Sequence, residues 1–127
     1  MKKALFLIIA AILAGYIAFY LQTKRAVSSV SSDRIDDAHI YFFYQERCGH
    51  CHHARDYIKE KYPTLAVEYR DIMIKENLAD FMACAKKFNL PEKQLGTPLI
   101  CMGQNVIMGW GKQDPSRFDA YVKPFYK

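Results

Sequence analysis

Two cysteines and three of the chain's four histidines lie within the segment QERCGHCHHARD, at positions 45–56. Two residues separate Cys48 from Cys51, and the histidines occupy positions 50, 52 and 53. Thiol and imidazole groups in such proximity can exchange disulfides, bind a transition metal or accompany a covalently attached haem. The motif alone leaves these three chemistries open, so the rest of the chain must distinguish them.

Redox chemistry at a Cys-x-x-Cys pair requires a reactive thiolate at the start of a helix. Unsatisfied N–H groups and the helix dipole stabilise the negative charge there, and a second sulfur one turn later lies within bridging distance. Cys48 and Cys51 meet both conditions if a helix begins at the motif. His50 adds a potential positive charge beside the thiolate, which favours the reduced form and makes the disulfide more oxidising.

The sequence around the motif changes from a strand pattern to a helix pattern. Residues 39–45, HIYFFYQ, form a short aromatic and β-branched run that is typical of a buried central strand. From Cys48 the apolar residues recur at steps of three and four until Pro63, which predicts one helix. The motif is therefore predicted where a buried strand passes into a helix.

The remaining segments complete a mixed α/β order. We predict a strand at 64–73, a helix at 75–90, a hairpin within GTPLICMGQNVIMGW at 96–110, and a closing helix within DPSRFDAYVKPFYK at 114–127. The apolar residues that the helix at 75–90 should bury are Leu78, Phe81, Met82, Ala85 and Phe88. The predicted order of elements is β-α-β-α-β-β-α.

The arrangement strand, CGHC, helix, followed by GTP at positions 96–98, resembles the thioredoxin superfamily. The Gly49-His50 dipeptide is similar to that of eukaryotic protein disulfide isomerases. The segments FYQERCGHCHHARDYI and GTPLICMGQNVIMGW resemble periplasmic disulfide isomerases of the Dsb type, and the length is similar to that of glutaredoxins. The resemblance covers roughly 38–127 and implies a thioredoxin-like fold with a central mixed sheet and a redox-active disulfide between Cys48 and Cys51.

The same resemblance implies roles for residues outside the motif. Pro98 is expected to be a cis-proline that faces the cysteines, and the backbone of Thr97 is expected to pair with substrate. The chain also departs from the family, because Phe42 occupies the position where thioredoxins and eukaryotic isomerases usually carry a buried carboxylate. Proton transfer to Cys51 therefore lacks its usual acceptor, and isomerase activity and dimerisation are not assumed.

Two alternatives to disulfide exchange follow from the motif. CGHCH at 48–52 matches the attachment signature of a c-type haem protein. A metal-binding module could combine both cysteines with two histidines, although positions on one helix converge only partly on a tetrahedral site. We favour disulfide exchange because a strand leads into the motif and Thr97-Pro98 follows it downstream, and we interpret His52 and His53 as solvated helix residues.

The other two cysteines are Cys84, in the second predicted helix, and Cys101, in the strand after Pro98. Free cysteines are common in protein cores as small apolar residues, and this is the interpretation that we favour. A second disulfide is the alternative.

An uncharged apolar run, ALFLIIAAILAGYIAFY, occupies 4–20 between two pairs of basic residues. As a helix, residues 4–21 reach roughly 27 Å at ~1.5 Å per residue, close to the ~30 Å of a hydrocarbon core. We predict an uncleaved membrane anchor, with a cleaved signal peptide as the alternative. The predicted organisation is an anchor or signal at 1–25, a small polar tether at 26–37 and a folded domain at 38–127.

The net charge of +5 does not indicate nucleic-acid binding. Four of the 18 basic residues flank the apolar run and all 13 acidic residues lie beyond it, which leaves 14 basic against 13 acidic residues in the remainder. The chain beyond the apolar run contains no cluster of basic residues, so we exclude nucleic acid as a partner.

The sequence therefore predicts a membrane-tethered oxidoreductase that acts as an oxidase, isomerase or reductase on protein thiols and disulfides. It should need no cofactor, because the dithiol carries the electrons, but it should need a redox partner protein. We expect a bacterial inner-membrane protein with its domain in the periplasm, or an exported protein if the apolar segment is cleaved.

Overall fold

A computed structural model of the chain describes residues 2–29 and 34–127, with side chains outside 23–33. The chain divides into two compact units, Met1–Asp33 and Arg34–Lys127. The described residues of the first unit form the helix α1 (Lys2–Ser29), and the second unit contains the sheet and the other helices.

Helix α1 carries exposed apolar side chains over most of its length. Its segment Lys2–Gln22 is long and apolar enough to cross a membrane, a test that a signal sequence also passes. The first part of the predicted tether, 26–29, is helical, and 30–33 lie outside the described residues.

Four strands form the central sheet of the second unit: β1 (Ile40–Tyr44), β2 (Glu68–Asp71), β3 (Leu99–Met102) and β4 (Asn105–Met108). Their order in the sheet is β2-β1-β3-β4. Strand β1 pairs in parallel with β2 and antiparallel with β3, and β3 pairs antiparallel with β4. The sheet is mixed, and β1 lies in its interior.

Three α-helices cover this sheet: α2 (Gly49–Lys61), α3 (Lys75–Lys87) and α4 (Asp114–Tyr121). A short 3-10 helix, Glu92–Gln94, precedes β3. The predicted order β-α-β-α-β-β-α and the mixed sheet are confirmed. The strand predicted at 64–73 is shorter, because β2 extends only as far as its pairing with β1.

Alternating side chains of β1 face two separate clusters of the core. Ile40 and Phe42 lie on the face covered by α2 and α4, and Tyr41 and Phe43 lie on the face covered by α3. All four are buried, which explains why the strand is apolar throughout instead of alternating with polar residues.

The buried side of α3 differs from the prediction. Phe81, Cys84 and Ala85 are buried, whereas Leu78 is 43% exposed and Met82 is 37% exposed. The helix approaches the sheet through the side that carries Phe81 and Cys84, so the neighbouring apolar positions remain at the surface. Apolar spacing predicted the helix but not its rotation against the sheet.

The second unit begins at Arg34, earlier than the predicted start at residue 38. Ile35 is 8% exposed and belongs to the core. Arg34 and Arg70 both bind the carboxylate of Asp80, at 3.1 and 3.5 Å, and Asp80 is nearly buried between them. Part of the predicted tether therefore contributes to the folded domain.

Cys84 and Cys101 form a disulfide, with their Cα atoms 6.4 Å apart. This corrects the interpretation of the two residues as free thiols. Helix α3 covers the face of the sheet on which Cys101 lies, which brings the two positions within bridging distance. Both residues are buried, and the disulfide joins α3 to β3.

On the opposite face, a polar cluster around Asp119 joins α2 to α4. The hydroxyls of Tyr57 and Tyr62 donate hydrogen bonds to its carboxylate at 2.9 and 2.6 Å, and Lys61 Nζ donates at 2.6 Å. Burial raises the pKa of Asp119, but these three hydrogen bonds outweigh burial and hold the pKa below its ordinary value. Burial and the carboxylate together raise the pKa of Tyr62 to about 12.

Replacement Asp119→Asn should lower the free energy of unfolding near neutral pH by about 1 to 3 kcal/mol, because charged hydrogen bonds are lost. A lowered pKa in the folded state adds stability above the ordinary value of 3.8 and loses it as the pH falls through the folded value. The difference from the unsubstituted protein should therefore shrink in acid. Denaturant unfolding followed by the fluorescence of Trp110, the single tryptophan, measures this.

The matched control is Asp56→Asn, which removes an exposed carboxylate from α2. It should leave stability nearly unchanged at every pH. A loss of stability by Asp119→Asn that is independent of pH would contradict the charged-hydrogen-bond interpretation.

Candidate active site at the start of helix α2

Strand β1 ends at Tyr44, and a turn carries the chain to Cys48. The N–H of Cys48 donates a hydrogen bond to the carbonyl oxygen of Gln45 at 3.1 Å, which closes this turn. Cys48 has an extended backbone and is the N-cap of α2, which begins at Gly49. The buried strand thus delivers a cysteine to a helix N-terminus.

Cys48 and Cys51 form a disulfide with Cα atoms 5.2 Å apart. The sulfur of Cys48 also accepts a hydrogen bond from the N–H of Cys51 at 3.1 Å. After reduction, this donor and the helix N-terminus would stabilise negative charge on Cys48. Cys48 is partly exposed while Cys51 is 1% exposed, so their accessibility differs.

Thr97 and Pro98 lie beside this disulfide. Strand β3 runs antiparallel to β1, so its start lies at the same edge of the sheet as the end of β1. The carbonyl oxygen of Thr97 is 3.5 Å from Cys48 Sγ. The Thr97–Pro98 peptide bond is cis, and Pro98 is fully buried. The structure thus brings four of the five predicted site residues together.

His50, the fifth predicted site residue, is exposed. Within the part of the chain that the structure describes, no hydrogen bond or ion pair joins its ring to Cys48. Its effect on the thiolate stays a prediction based on charge. Also within the described residues, no three His, Cys, Asp or Glu side chains are grouped so that they could hold a metal ion.

His52 has contacts that the sequence did not predict. Its Nε2 lies 2.7 Å from the carbonyl oxygen of Glu46, and its Nδ1 lies 2.9 Å from a guanidinium nitrogen of Arg55. The Arg55 guanidinium in turn lies over the ring of Tyr44, 5.1 Å from its centroid. His52 is therefore half-buried and hydrogen-bonded, although its contact with Glu46 lies at the surface. Its spacing from Arg55, one helical turn, is the signal that indicates such a pair.

The position usually occupied by a buried carboxylate is apolar. Phe42 is 0% exposed, belongs to the same core cluster as Cys51, and lies 5.2 Å from the ring of Tyr69 between centroids. Burial raises the pKa of the Tyr69 hydroxyl, which keeps that group protonated. The side chain at position 42 therefore supplies no carboxylate to the core cluster that contains Cys51.

Solved structures similar to this chain include a buckwheat glutaredoxin in complex with glutathione. The two chains superpose with a TM-score of 0.51 at 15% identity, over 83% of this chain and 90% of the glutaredoxin. The chain has a thioredoxin-like fold. Thioredoxin O2 from Arabidopsis thaliana in the oxidised state aligns with a TM-score of 0.42 and 17% identity, over 80% of this chain and 89% of that one.

At these identities the similarity concerns the fold alone, and it confirms the predicted thioredoxin-like architecture. No protein-family model matches the sequence. No curated protein matches it either.

The thioredoxin-like domain therefore presents one accessible sulfur and one buried sulfur at a helix N-terminus. The thiolate is the nucleophile in disulfide exchange, and its formation is favoured where backbone N–H groups point at it. Cys48 accepts a hydrogen bond from the Cys51 N–H and is partly exposed to solvent, which are the two properties that an attacking sulfur needs. Cys51 is buried and lies within bridging distance of Cys48.

Alkylation after mild reduction should label the cysteines of this thioredoxin-like domain in the order of their access. Cys48 should react at least about tenfold faster than Cys51, because access and thiolate character both favour it. Cys84 and Cys101 are 0% and 2% exposed and should be labelled only after unfolding. Peptide mass spectrometry after a short iodoacetamide pulse on the full chain measures each position.

The control is the same pulse in denaturant with strong reductant, where all four cysteines should react alike. Equal labelling of Cys48 and Cys51 in the folded protein would contradict the assignment of Cys48 as the accessible nucleophile.

Proposed function

We propose that this protein is a membrane-tethered thiol:disulfide oxidoreductase that exchanges disulfides with partner proteins through Cys48 and Cys51. The observation that carries the proposal is the position of Cys48 Sγ. It lies at a helix N-cap, 3.1 Å from the N–H of Cys51 and 3.5 Å from the carbonyl oxygen of Thr97. The helix N-cap and the Cys51 N–H would stabilise a thiolate at Cys48, and the Thr97 carbonyl places beside it a backbone segment that can guide a substrate.

When the protein oxidises its substrate, a substrate thiolate attacks the sulfur of Cys48 in the Cys48–Cys51 disulfide. A mixed disulfide forms, and the Cys48–Cys51 bond breaks as Cys51 leaves as a thiolate and takes up a proton. A second substrate thiolate then attacks the substrate sulfur of the mixed disulfide and releases reduced Cys48. The substrate loses two electrons and two protons in total, and the dithiol gains them.

The reverse direction uses the same groups. The Cys48 thiolate attacks a substrate disulfide, and one substrate sulfur leaves as a thiolate that is then protonated. Cys51 loses its proton and attacks Cys48, which releases the second substrate thiol. A partner protein then reduces the disulfide, or in the first direction oxidises the dithiol, and so restores the starting form. No cofactor is required.

Thr97, Pro98 and His50 have supporting roles in this proposal. A polypeptide bonded to Cys48 would pass beside the Thr97 backbone, since the Thr97 carbonyl lies next to the reacting sulfur. Pro98 fixes the start of β3, and its carbonyl accepts a hydrogen bond from Gly109 at 2.8 Å. Protonated His50 would favour the thiolate through its charge.

Cys51→Ala should trap mixed disulfides between Cys48 and client proteins, because the resolving sulfur is missing. Cys48→Ala, the matched control, should trap few. Non-reducing gels of each tagged full-length variant, with and without reductant, measure the difference. Equal trapping by the two variants would show that Cys48 is not the preferred nucleophile.

Absorbance and metal analysis of the same purified protein test the two alternative functions. An oxidoreductase should equilibrate its Cys48–Cys51 pair with glutathione and show no visible absorbance. A Soret band after expression with haem maturation machinery would favour a c-type haem protein. Stoichiometric zinc or copper that survives dialysis would favour a metal-binding module.

We propose that α1 holds the protein in a bacterial inner membrane with the domain in the periplasm. The apolar segment Lys2–Gln22 supports an anchor or a signal, and the buried Cys84–Cys101 disulfide is a feature of proteins that fold in oxidising compartments. The N-terminus would then face the cytoplasm, and the second unit would lie in the periplasm.

Alkaline phosphatase fused to the C-terminus should be active and sediment with membranes, because the enzyme is active only after export. A matched fusion that lacks 1–25 should be inactive. Inactive phosphatase in a stable full-length fusion would place the domain in the cytoplasm and contradict this topology. Active fusion protein in the soluble periplasmic fraction would instead show that the apolar segment is a cleaved signal.

A further inference from the structure

We infer that His52 and Arg55 form a latch that positions Cys48 for disulfide exchange. The latch consists of the side chains of His52, Arg55 and Tyr44 and the carbonyl group of Glu46. It deepens the proposed function and rests on it, because it assigns positioning residues to the same dithiol.

The latch connects both sides of the reactive cysteine. Tyr44 is the last residue of β1, and Arg55 of α2 lies over its ring at 5.1 Å. Arg55 contacts His52 Nδ1 at 2.9 Å, and His52 Nε2 contacts the carbonyl oxygen of Glu46 at 2.7 Å. Glu46 lies in the turn between Tyr44 and Cys48, so the contacts form a closed path from strand to helix and back to the turn.

The two partners determine which nitrogen of His52 carries a proton. A guanidinium group can only donate hydrogen bonds, so Nδ1 must accept from Arg55. A carbonyl oxygen can only accept, so Nε2 must donate to Glu46. Both requirements are met by the single tautomer with its proton on Nε2, and each partner of the ring therefore reinforces the same orientation.

The position of His52 makes this latch specific to Cys48. Its backbone N–H donates to the carbonyl oxygen of Cys48 at 3.3 Å, while its side chain binds Glu46 on the other side of the cysteine. The N–H of Cys48 donates to Gln45 in the same turn. One residue thus holds the chain both before and after the reactive sulfur.

The reduced form depends on this geometry more than the disulfide does. A thiolate at Cys48 would accept the Cys51 N–H as a charged hydrogen bond, which is stronger than the same bond to a neutral disulfide sulfur. If the turn is released, the sulfur moves relative to this donor, and the thiolate loses more than the disulfide. We therefore expect the latch to favour the reduced dithiol and to make the disulfide a stronger oxidant.

His53 offers a matched control on the same helix. It is exposed, and its ring makes no hydrogen bond or ion pair within the described residues. Substitution of His53 changes the charge and helix composition near the motif in the same way as substitution of His52, but it leaves the latch intact.

The test compares His52→Ala, His52→Gln, Arg55→Met and His53→Ala in the full chain in detergent, equilibrated with glutathione. His52→Ala and Arg55→Met should each shift the equilibrium about threefold to tenfold toward the disulfide form, as expected for the loss of one hydrogen bond. The pH at which Cys48 alkylation reaches half its maximal rate should rise in both. His52→Gln should recover most of the shift, because an amide can donate to Glu46 and accept from Arg55.

The double variant His52→Ala with Arg55→Met should shift the equilibrium no more than either single change, since both break one path. Circular dichroism of each variant identifies any that fails to fold, and His52→Gln then decides the outcome. Equal equilibrium constants for His52→Ala, His53→Ala and the unsubstituted protein would overturn the latch alone. If the unsubstituted dithiol does not exchange with glutathione at all, the proposed function itself fails.

Discussion

The hydrogen bond from the N–H of Cys51 to the sulfur of Cys48 depends on where the chain leaves strand β1 and where helix α2 begins. Cys48 must emerge from the sheet at the point where the helix begins, because only the first turn of a helix offers free N–H groups. Strand β1 fixes that point, since it is buried on both faces and paired on both edges. The strand cannot slip by one residue without exchanging its two sets of core side chains. The chemistry of the site is thus determined by the packing of the most buried strand.

The position of the dithiol and the order of the elements could be predicted because they depend on local signals. The aromatic run before Cys48, the spacing of apolar residues after it and Pro63 each act over one element. The exposure of Leu78 and the pairing of Cys84 could not be predicted, because they depend on how α3 rotates against the sheet. The contacts of His52 could not be predicted for the same reason. Its partner Glu46 is near in sequence, but the contact requires the turn geometry that folding supplies.

The phenylalanine beneath the motif changes how proton transfer at the site should be understood. Phe42 places an apolar ring in the cluster that contains Cys51, at the position where thioredoxins and eukaryotic disulfide isomerases usually carry a carboxylate. A carboxylate at this position relays a proton, but disulfide exchange conserves protons without it. When Cys51 resolves a mixed disulfide, it releases one proton and the departing substrate thiolate takes up one. Direct transfer, or transfer through water at the exposed side of Cys48, would satisfy both sulfurs.

The two disulfides of the domain differ in what surrounds them, and this separates their roles. Cys48–Cys51 lies at an edge of the sheet where one sulfur can be reached, whereas Cys84–Cys101 lies wholly inside the core on the other face. A thiolate must approach the sulfur it attacks, so only the first pair can exchange while the fold is intact. The second pair joins α3 to β3, the strand that begins directly after Pro98. The Cys84–Cys101 disulfide on one face and the Asp119 cluster on the other therefore tie the helices of the domain together, and the accessible sulfur lies at the edge of the sheet where α2 begins.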